Sequence, residues 1–211
     1  MSTRPDRDIK ISKALSYLLR HGAVKERLNI DSAGYVKVSE ILSNNRLKTH
    51  HTTLEDLNRI VENNDKKRFN LQRRDDGAYI CATQGHSLKT VSDETLTLLK
   101  PDEYPELLLH GTTPKNLELI LKSKGLSRMS RNHIHFTSIL KNQGEAVSGL
   151  RNFTNVLIYL DVDKLKDHPE VKIYKSLNNV YLCPGDAEGF LSKDYFKKII
   201  DRKTDTIIPF E

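Results

Sequence analysis

The spacing of apolar residues changes near residue 100, and this change constrains the fold of the 211-residue chain more than any other feature. Before it, apolar residues recur three and four positions apart, as they do on one face of a helix. After it, they come in short runs between turns, which is typical of strands. Segment 88–106 has no sustained period and contains Pro101 and Pro105, so we predict two lobes, residues 1–100 and 101–211.

Helical signals dominate the first lobe. Apolar residues from Ile11 to Leu19 predict a helix that delivers Arg20 and His21 to its last turn and ends at Gly22 in a left-handed cap. A cation at the C-terminus of a helix is also favoured by the helix dipole, so a purely stabilising role for Arg20 and His21 remains an alternative.

Two further helices and a hairpin complete the first lobe. Ser39 is predicted to cap the second helix, and Thr53, with Asp56 three residues on, predicts a capping box for the third. The alternating segments RFNLQ and AYICAT flank an Asp-Gly pair, which predicts a hairpin turn. Helices followed by a two-stranded hairpin indicate a small winged-helix module, a type that commonly binds nucleic acid.

The second lobe is predicted to be a mixed or antiparallel sheet, which makes the whole chain α+β. Its short apolar runs are LLLHGT, HIHFT, VLIYLDV, VKIY and VYLC. One helix is clearly indicated, with Thr113 as its cap, Pro114 in its first turn and Gly125 as the residue that ends it.

The positive charge is concentrated in the first lobe. Residues 1–100 carry 18 Lys and Arg against 13 Asp and Glu, whereas residues 101–211 carry 16 against 15. A basic lobe beside a nearly neutral one suits a protein of which one part meets a polyanion. A modest excess that only aids solubility explains the charge equally well.

Several classes of protein are disfavoured by the sequence. It lacks the roughly 18 consecutive apolar residues that a membrane span requires, and its charged start MSTRPDRDIK is unlike a secretory signal, so we expect an intracellular protein. Cys81 and Cys183 lie far apart without a CxxC pair, and we expect both to be ordinary packed thiols. Neither GxGxxG nor a Walker A loop is present.

Polar clusters at the ends of predicted strands are candidate binding sites. In SRMSRNHIHFT, His133 and His135 share one strand face and Arg131 precedes them. His110 begins HGTT, where Gly111 would allow a ligand close to the backbone. The three histidines could hold zinc, but no nearby carboxylate or cysteine completes a metal pattern, so an anionic ligand is favoured. In DKKRF, a solvated charge run is the simplest interpretation of Arg68.

Seven segments together resemble those of the tRNA 2'-phosphotransferases of the KptA kind, and the resemblance extends over nearly the whole chain. The segments are SKALSYLLRHGA, DSAGYVKVSEIL, DKKRF, ICATQGHS, LLHGTT, SRMSRNHIHFT and SLNNVYLC. The resemblance implies an N-terminal winged-helix lobe that binds RNA phosphate and a C-terminal ADP-ribosyltransferase-like lobe that binds NAD. The tail PGDAEGFLSKDYFKKI matches only loosely.

The same resemblance implies roles for individual residues. The catalytic group would be Arg20, His21, Arg68 and Arg131. The NAD-binding residues would be His110, Gly111, Thr112, His133 and His135. Contact with the RNA phosphate is implied for His86 and Ser87.

The implied reaction transfers the 2'-phosphate of a spliced RNA to NAD, which is consumed as a co-substrate. Its products are RNA with a 2'-hydroxyl, nicotinamide and ADP-ribose 1'',2''-cyclic phosphate, and no metal is required. The expected partner is 2'-phosphorylated RNA, in particular ligated tRNA. We expect a monomer that acts in the cytoplasm or the nucleus, without a membrane.

Two other functions remain open at the level of sequence. A winged-helix regulator without catalysis would explain the basic first lobe but not the His and Arg residues of the second. An ADP-ribosyltransferase that modifies protein or nucleic acid would share the NAD lobe. Many such enzymes orient the ribose with a late glutamate, and Val180 stands at the comparable place here.

Overall fold

The computed structural model describes residues 4–138, 150 and 154–210, and the chain forms two compact units, Met1–Thr95 and Leu96–Glu211. Each unit combines helices with antiparallel strands, which confirms the α+β class. No helix within the described ranges is long and apolar enough to cross a membrane.

Unit 1 packs four helices against one antiparallel sheet in the strand order β1-β3-β2. Its helices are α1 (Arg4–Tyr17), which continues into a π-helical turn (Leu18–Gly22), α2 (Val38–Leu42), α3 (Asn45–Lys48) and α4 (Leu54–Glu62). Its strands are β1 (Tyr35–Lys37), β2 (Phe69–Arg74) and β3 (Gly77–Ala82).

The predicted packing of unit 1 is confirmed at its main elements. Ile11 and Leu15 of α1 are fully buried in a core that includes Ile80 of the hairpin. Thr53 caps α4 and forms the predicted capping box with Asp56. The hairpin pairs Phe69–Arg74 with Gly77–Ala82, as the alternating segments indicate.

In unit 1 the predicted cap of α2 is wrong, and the loop of the predicted hairpin lies one residue before the Asp-Gly pair. Ser39 lies inside α2, which begins at Val38, and the capping position belongs to Lys37, whose side chain makes no capping bond. In the hairpin, the two loop residues are Asp75 and Asp76, and Gly77 follows them with φ 138°. The glycine is therefore needed where β3 begins rather than within the two-residue loop.

An ion-pair network joins α1 to α4. Asp56 accepts hydrogen bonds from Arg7 at 2.6 and 2.9 Å and from Arg59 at 2.6 Å, and Arg59 also donates twice to Asp8. The guanidinium groups of Arg7 and Arg59 outweigh the cost of burial and hold the pKa of the Asp56 carboxyl far below its usual range. Asp56 therefore both caps α4 and ties it to α1.

Unit 2 is built mainly from short antiparallel strands. Its helices are α5 (Pro114–Lys122) and α6 (Val162–Lys166), with short 3-10 turns at Pro101–Glu103 and Lys193–Tyr195. Its strands are β4 (Thr97–Leu98), β5 (Leu109–Thr112), β6 (Gly125–Ser127), β7 (Ile134–Phe136), β8 (Val156–Leu160), β9 (Tyr174–Lys175), β10 (Tyr181–Cys183), β11 (Phe190–Ser192), β12 (Phe196–Asp201) and β13 (Thr206–Ile208).

The strands of unit 2 form two four-stranded sheets and one pair. The strand orders are β4-β9-β10-β7, β13-β12-β8-β5 and β11-β6. A bridge between Leu109 and Thr137 links β5 to the end of β7 and so brings the two larger sheets side by side. Thr113 caps α5, as predicted, but the helix ends at Lys122, and Gly125 begins β6 instead of ending the helix. Three of the strands, β11 to β13, lie in or beyond the loosely matching tail.

Each unit contains one of the two cysteines. Cys81 lies on β3 and Cys183 on β10, and both are buried. Burial raises the pKa of each thiol to about 11. Both are packed thiols, as predicted.

Candidate active site

The predicted residues Arg20 and His21 lie in the π-helical turn that continues α1. Such turns are rare and occur frequently at functional sites. Leu18 and Leu19 are fully buried, whereas Arg20 is partly exposed and His21 is exposed. Two apolar residues thus anchor a backbone that presents two polar side chains.

The predicted left-handed cap at Gly22 is wrong. Gly22 does not have a positive φ, and Ala23 after it continues in a right-handed helical conformation with φ −52°. A Cβ at position 22 would lie 2.5 Å from Cε1 and 2.8 Å from Cζ of Tyr17. Glycine is required because the Tyr17 ring lies against its Cα.

Ser87 ties the π-helical turn to the segment after β3. Its backbone N–H donates to the carbonyl oxygen of Arg20 at 2.9 Å, and its Oγ lies 2.8 Å from Nδ1 of His21. When one ring nitrogen of a histidine is held by a hydrogen bond, the direction of the other ring nitrogen is set as well. Ser87 therefore orients Nε2 of His21.

Arg68 lies between α4 and β2 in a positively charged segment. Its backbone N–H and its Nη1 both donate to Oδ1 of Asn64 at 3.3 Å. Burial, opposed by the charge of Asp65, lowers the pKa of Arg68, which stays protonated as arginines do in proteins. Burial and then the charge of Arg68 lower the pKa of Lys66. Such a segment is suited to an anion.

His86 and part of Arg20 are shielded from solvent. The buried atoms are Nε2 of His86 and Nε and Nη2 of Arg20. His86 is 8% exposed, and a Cβ on Gly34, which has φ 84°, would lie 3.1 Å from its Nε2. Of the two residues predicted to contact the RNA phosphate, Ser87 is the more exposed.

In unit 2, backbone carbonyls hold two of the predicted histidines. Nδ1 of His110 donates to the carbonyl oxygen of His135 at 2.9 Å, and Nδ1 of His135 donates to that of His133 at 3.1 Å. The ring of His133 packs edge-on against Tyr174 with centroids 5.8 Å apart. Because a carbonyl only accepts, both Nδ1 atoms carry a proton in these bonds.

Arg131 lies in the turn before β7, and Arg128 holds that turn. Arg128 donates from Nη1 to the carbonyl oxygen of Arg131 at 2.9 Å, and the backbone N–H of Arg131 donates back to Arg128 at 3.0 Å. The Arg128 side chain crosses Gly189, which has φ 84° and no room for a Cβ. Met129, with φ 56°, is exposed at the tip of the turn.

Internal packing accounts for Gly111. A Cβ there would lie 2.5 Å from Cδ2 of Leu150 and 2.7 Å from Cγ2 of Thr154. Packing within the same unit is thus sufficient to require glycine at this position. Thr112 is 7% exposed, and its carbonyl oxygen accepts from the N–H of Asn155 at 3.1 Å.

The structure groups the predicted site residues by unit. Unit 1 contains Arg20, His21, Arg68, His86 and Ser87. Unit 2 contains His110, Gly111, Thr112, Arg131, His133 and His135. Over the part of the chain that is described, no group of three or more His, Cys, Asp or Glu residues could hold a metal ion.

Three residues that contact the predicted site segments were not predicted from the sequence: Tyr17, Asn64 and Arg128. Tyr17 stands five positions before Gly22, and Asn64 four before Arg68, which are spacings that a helix or turn brings together. Arg128 stands three before Arg131, so its place in the same turn could have been proposed from SRMSR.

Comparison with known proteins identifies the family. The model of the family "RNA 2'-phosphotransferase, Tpt1 / KptA family" matches residues 6–185. A Saccharomyces cerevisiae protein named tRNA 2'-phosphotransferase is 47% identical over 95% of this chain and 90% of its own length. A Danio rerio protein named tRNA 2'-phosphotransferase 1 is 40% identical over 91% of this chain and 85% of its own length. A Homo sapiens protein of the same name is 38% identical over 92% of this chain and 76% of its own length. The chain therefore belongs to the RNA 2'-phosphotransferase family.

Proposed function

We propose that this protein is an NAD-dependent tRNA 2'-phosphotransferase, which removes the splice-junction 2'-phosphate in the final step of tRNA splicing. Membership of the family supports the reaction type, and the names of its relatives support tRNA as the substrate. The observation that carries the proposal is the π-helical turn in which Arg20 and His21 stand side by side, each hydrogen-bonded to Ser87.

The first step joins the RNA to the co-substrate. An oxygen of the RNA 2'-phosphate attacks the ribose carbon that bears nicotinamide, and the bond between that carbon and nicotinamide breaks. Nicotinamide leaves with the electron pair, so its ring loses its positive charge. Arg20, Arg68 and Arg131 are the planar donors that would hold the phosphate oxygens in this step.

The second step releases the RNA. The neighbouring 2''-hydroxyl of the ribose attacks phosphorus, and the 2'-oxygen of the RNA departs and takes a proton. The products are RNA with a 2'-hydroxyl and ADP-ribose 1'',2''-cyclic phosphate. Negative charge builds on the phosphate oxygens, and arginines aimed at those oxygens stabilise it.

His21 would move the proton. In the tautomer in which Nδ1 donates to Oγ of Ser87, the neutral ring carries its lone pair on Nε2 and can accept the proton of the attacking 2''-hydroxyl. The protonated ring can then donate to the departing 2'-oxygen. Such general acid–base catalysis contributes about 10²- to 10⁴-fold to a rate.

We further propose that unit 1 is a winged-helix lobe for the RNA phosphate and unit 2 an ADP-ribosyltransferase-like lobe for NAD. In unit 1 the hairpin β2–β3 pairs with β1 after the helices, which supports the first assignment. In unit 2, backbone carbonyls fix the ring orientations of His110 and His135 through Nδ1, which supports a role for these histidines in holding NAD. We expect the enzyme to be an intracellular monomer that needs no metal.

The test is incubation of the purified protein with a 2'-phosphorylated oligoribonucleotide, with and without NAD, followed by identification of the products. The expected result is removal of the phosphate only with NAD, together with nicotinamide and the cyclic phosphate. Removal without NAD would refute the proposal. A stable ADP-ribosylated RNA as the end product would favour the alternative ADP-ribosyltransferase, although Val180 is fully buried before β10 and offers no carboxylate there.

A further inference from the structure

A groove of about 510 Å³ runs along α1 on unit 1, outside the residues assigned to the reaction. The seven residues that line it come from α1 and from the region of α3, and none of them is acidic. They are Lys13, Ala14, Tyr17, Asn45, Arg46, Thr49 and His50.

Contacts at both ends hold the groove open. At one end the guanidinium of Arg46 lies 4.4 Å from the centre of the Tyr17 ring, and its Nε donates to Glu26 at 3.0 Å. At the other end Nε of Arg7 donates to the carbonyl oxygen of His50 at 2.9 Å. The walls are therefore fixed before any ligand arrives, which limits the entropy lost on binding.

The chemistry of the lining suits a phosphate. Lys13 and Arg46 are exposed cations, and Asn45, Thr49 and His50 add polar groups between them. Nearby carboxylates are already bound to arginines, since Asp8 and Asp56 pair with Arg59 and Glu26 pairs with Arg46. Arg46 uses Nε for Glu26, and its guanidinium carries four more N–H donors.

The groove adjoins the π-helical turn in sequence, because Tyr17 lines the groove and directly precedes the turn. Lys13, Tyr17 and His21 are spaced four residues apart along one continuous helical segment, so they follow one another on neighbouring turns of the same face. With a rise of about 1.5 Å per residue, Lys13 lies roughly 12 Å along the axis from His21. That separation corresponds to a few nucleotides of a single strand, at about 3.4 Å or more each.

We propose that this groove binds the phosphodiester backbone of the RNA that flanks the reactive 2'-phosphate, with Lys13 and Arg46 as the phosphate-binding cations. The inference rests on the proposed function for the identity of the reactive phosphate. The proposal predicts that the enzyme binds a long RNA substrate more tightly than a trinucleotide substrate, through contacts that take no part in the chemistry.

The test compares Lys13→Glu with Lys48→Glu. Lys48 is exposed on α3, the helix that also carries Arg46, but it does not line the groove. Lys48→Glu therefore controls for the change in net charge near the groove. Two measurements are made: equilibrium binding of a long unphosphorylated RNA, and KM for a long and for a trinucleotide substrate that each carry one 2'-phosphate. Binding of unphosphorylated RNA does not depend on catalysis, so failure of this inference is distinguishable from failure of the proposed function.

Lys13→Glu should weaken binding of the long RNA about fivefold to tenfold and raise KM for the long substrate more than for the trinucleotide. Lys13→Ala should make the slope of log affinity against log salt shallower by about 0.7, the value for one lost contact to a single strand. Equal effects of Lys13→Glu and Lys48→Glu, equal effects on both substrates, or unchanged RNA binding by a folded Lys13→Glu protein would each overturn the inference.

Discussion

The two units hold their predicted site residues in different ways. In unit 1, His21 and Arg68 are bonded to the side chains of Ser87 and Asn64, on an irregular helical turn and a connecting segment. In unit 2, His110 is bonded to the backbone carbonyl of His135 on β7, and His135 to that of His133, which directly precedes β7. A side-chain partner can be removed by one substitution, whereas a carbonyl cannot. Unit 1 should therefore be the part whose site is more easily loosened by point mutation.

The largest effect is expected for Arg68→Lys. Lysine keeps the charge but loses the planar fork that donates to Asn64 and can hold two phosphate oxygens, so kcat/KM should fall about 10²- to 10³-fold. Steady-state assays with the 2'-phosphorylated RNA measure this fall in kcat/KM. Arg73→Lys on the exposed part of β2 is the matched control and should retain the parental rate. Parental turnover by Arg68→Lys would remove Arg68 from the catalytic group.

Acid should destabilise unit 1 before unit 2. Folding lowers the pKa values of the Asp56 and Asp8 carboxyls. Their charged forms therefore stabilise the fold fully at pH values above the carboxyl pKa of the unfolded chain, which is about 4. This stabilisation is lost as the pH falls through the pKa values of the folded chain. The described ion pairs of unit 2, such as Lys124 with Glu188, are largely exposed and contribute little.

Asp56→Asn should accordingly lower the free energy of unfolding by about 2 kcal/mol at neutral pH and flatten its dependence on acid pH. Urea unfolding at a series of pH values measures both. Asp163→Asn, in an exposed pair with Lys166, is the control and should change neither. An unchanged acid profile for Asp56→Asn would show that the network does not set the acid limit.

Gly22→Ala and Gly111→Ala test close packing at the two sites. Each added Cβ would meet a side chain at 2.5 Å, namely Tyr17 in unit 1 and Leu150 in unit 2, and overpacking of this kind costs about 1 to 3 kcal/mol. Thermal unfolding should show both losses. Combining Gly22→Ala with Tyr17→Leu, or Gly111→Ala with Leu150→Ala, should recover part of the loss because the obstructing group is smaller. Independent, additive effects in these double variants would argue against the contacts.

The smallest effect is expected for Ser87→Ala. Loss of its hydrogen bond to Nδ1 should leave His21 less well oriented, and a bond of this type contributes about 1 kcal/mol, or roughly fivefold in kcat. A shift in the pH profile of kcat with little change in KM would distinguish orientation of His21 from direct binding of phosphate by Ser87. A rise in KM at constant kcat would support the phosphate role instead.

Regular elements were predictable because their signals are local. The capping box at Thr53, the cap at Thr113 and the strand alternation on either side of the Asp-Gly pair depend on residues a few positions apart. The resemblance likewise identified the family, since several separate motifs occur in the same order.

The failures occur where a distant or unexpected contact decides the conformation. Gly22 has the position of a left-handed cap, but packing of Tyr17 against it keeps the backbone right-handed. The contacts of Leu150 and Thr154 with Gly111 likewise come from residues about 40 positions away, so the sequence alone did not indicate that packing requires a glycine there. Ser87 bonds to His21 across 66 positions of sequence, a pairing that no spacing rule contains.

The placement of the two cysteines offers a separate probe for each unit. Cys81 and Cys183 are buried, one on a strand of each unit, and at neutral pH their raised pKa values of about 11 leave almost no thiolate. An alkylating reagent can therefore modify each cysteine only when its own unit opens. Mass-spectrometric rates at the two positions would report the local unfolding of each unit in the unmodified, natural sequence, without an engineered label.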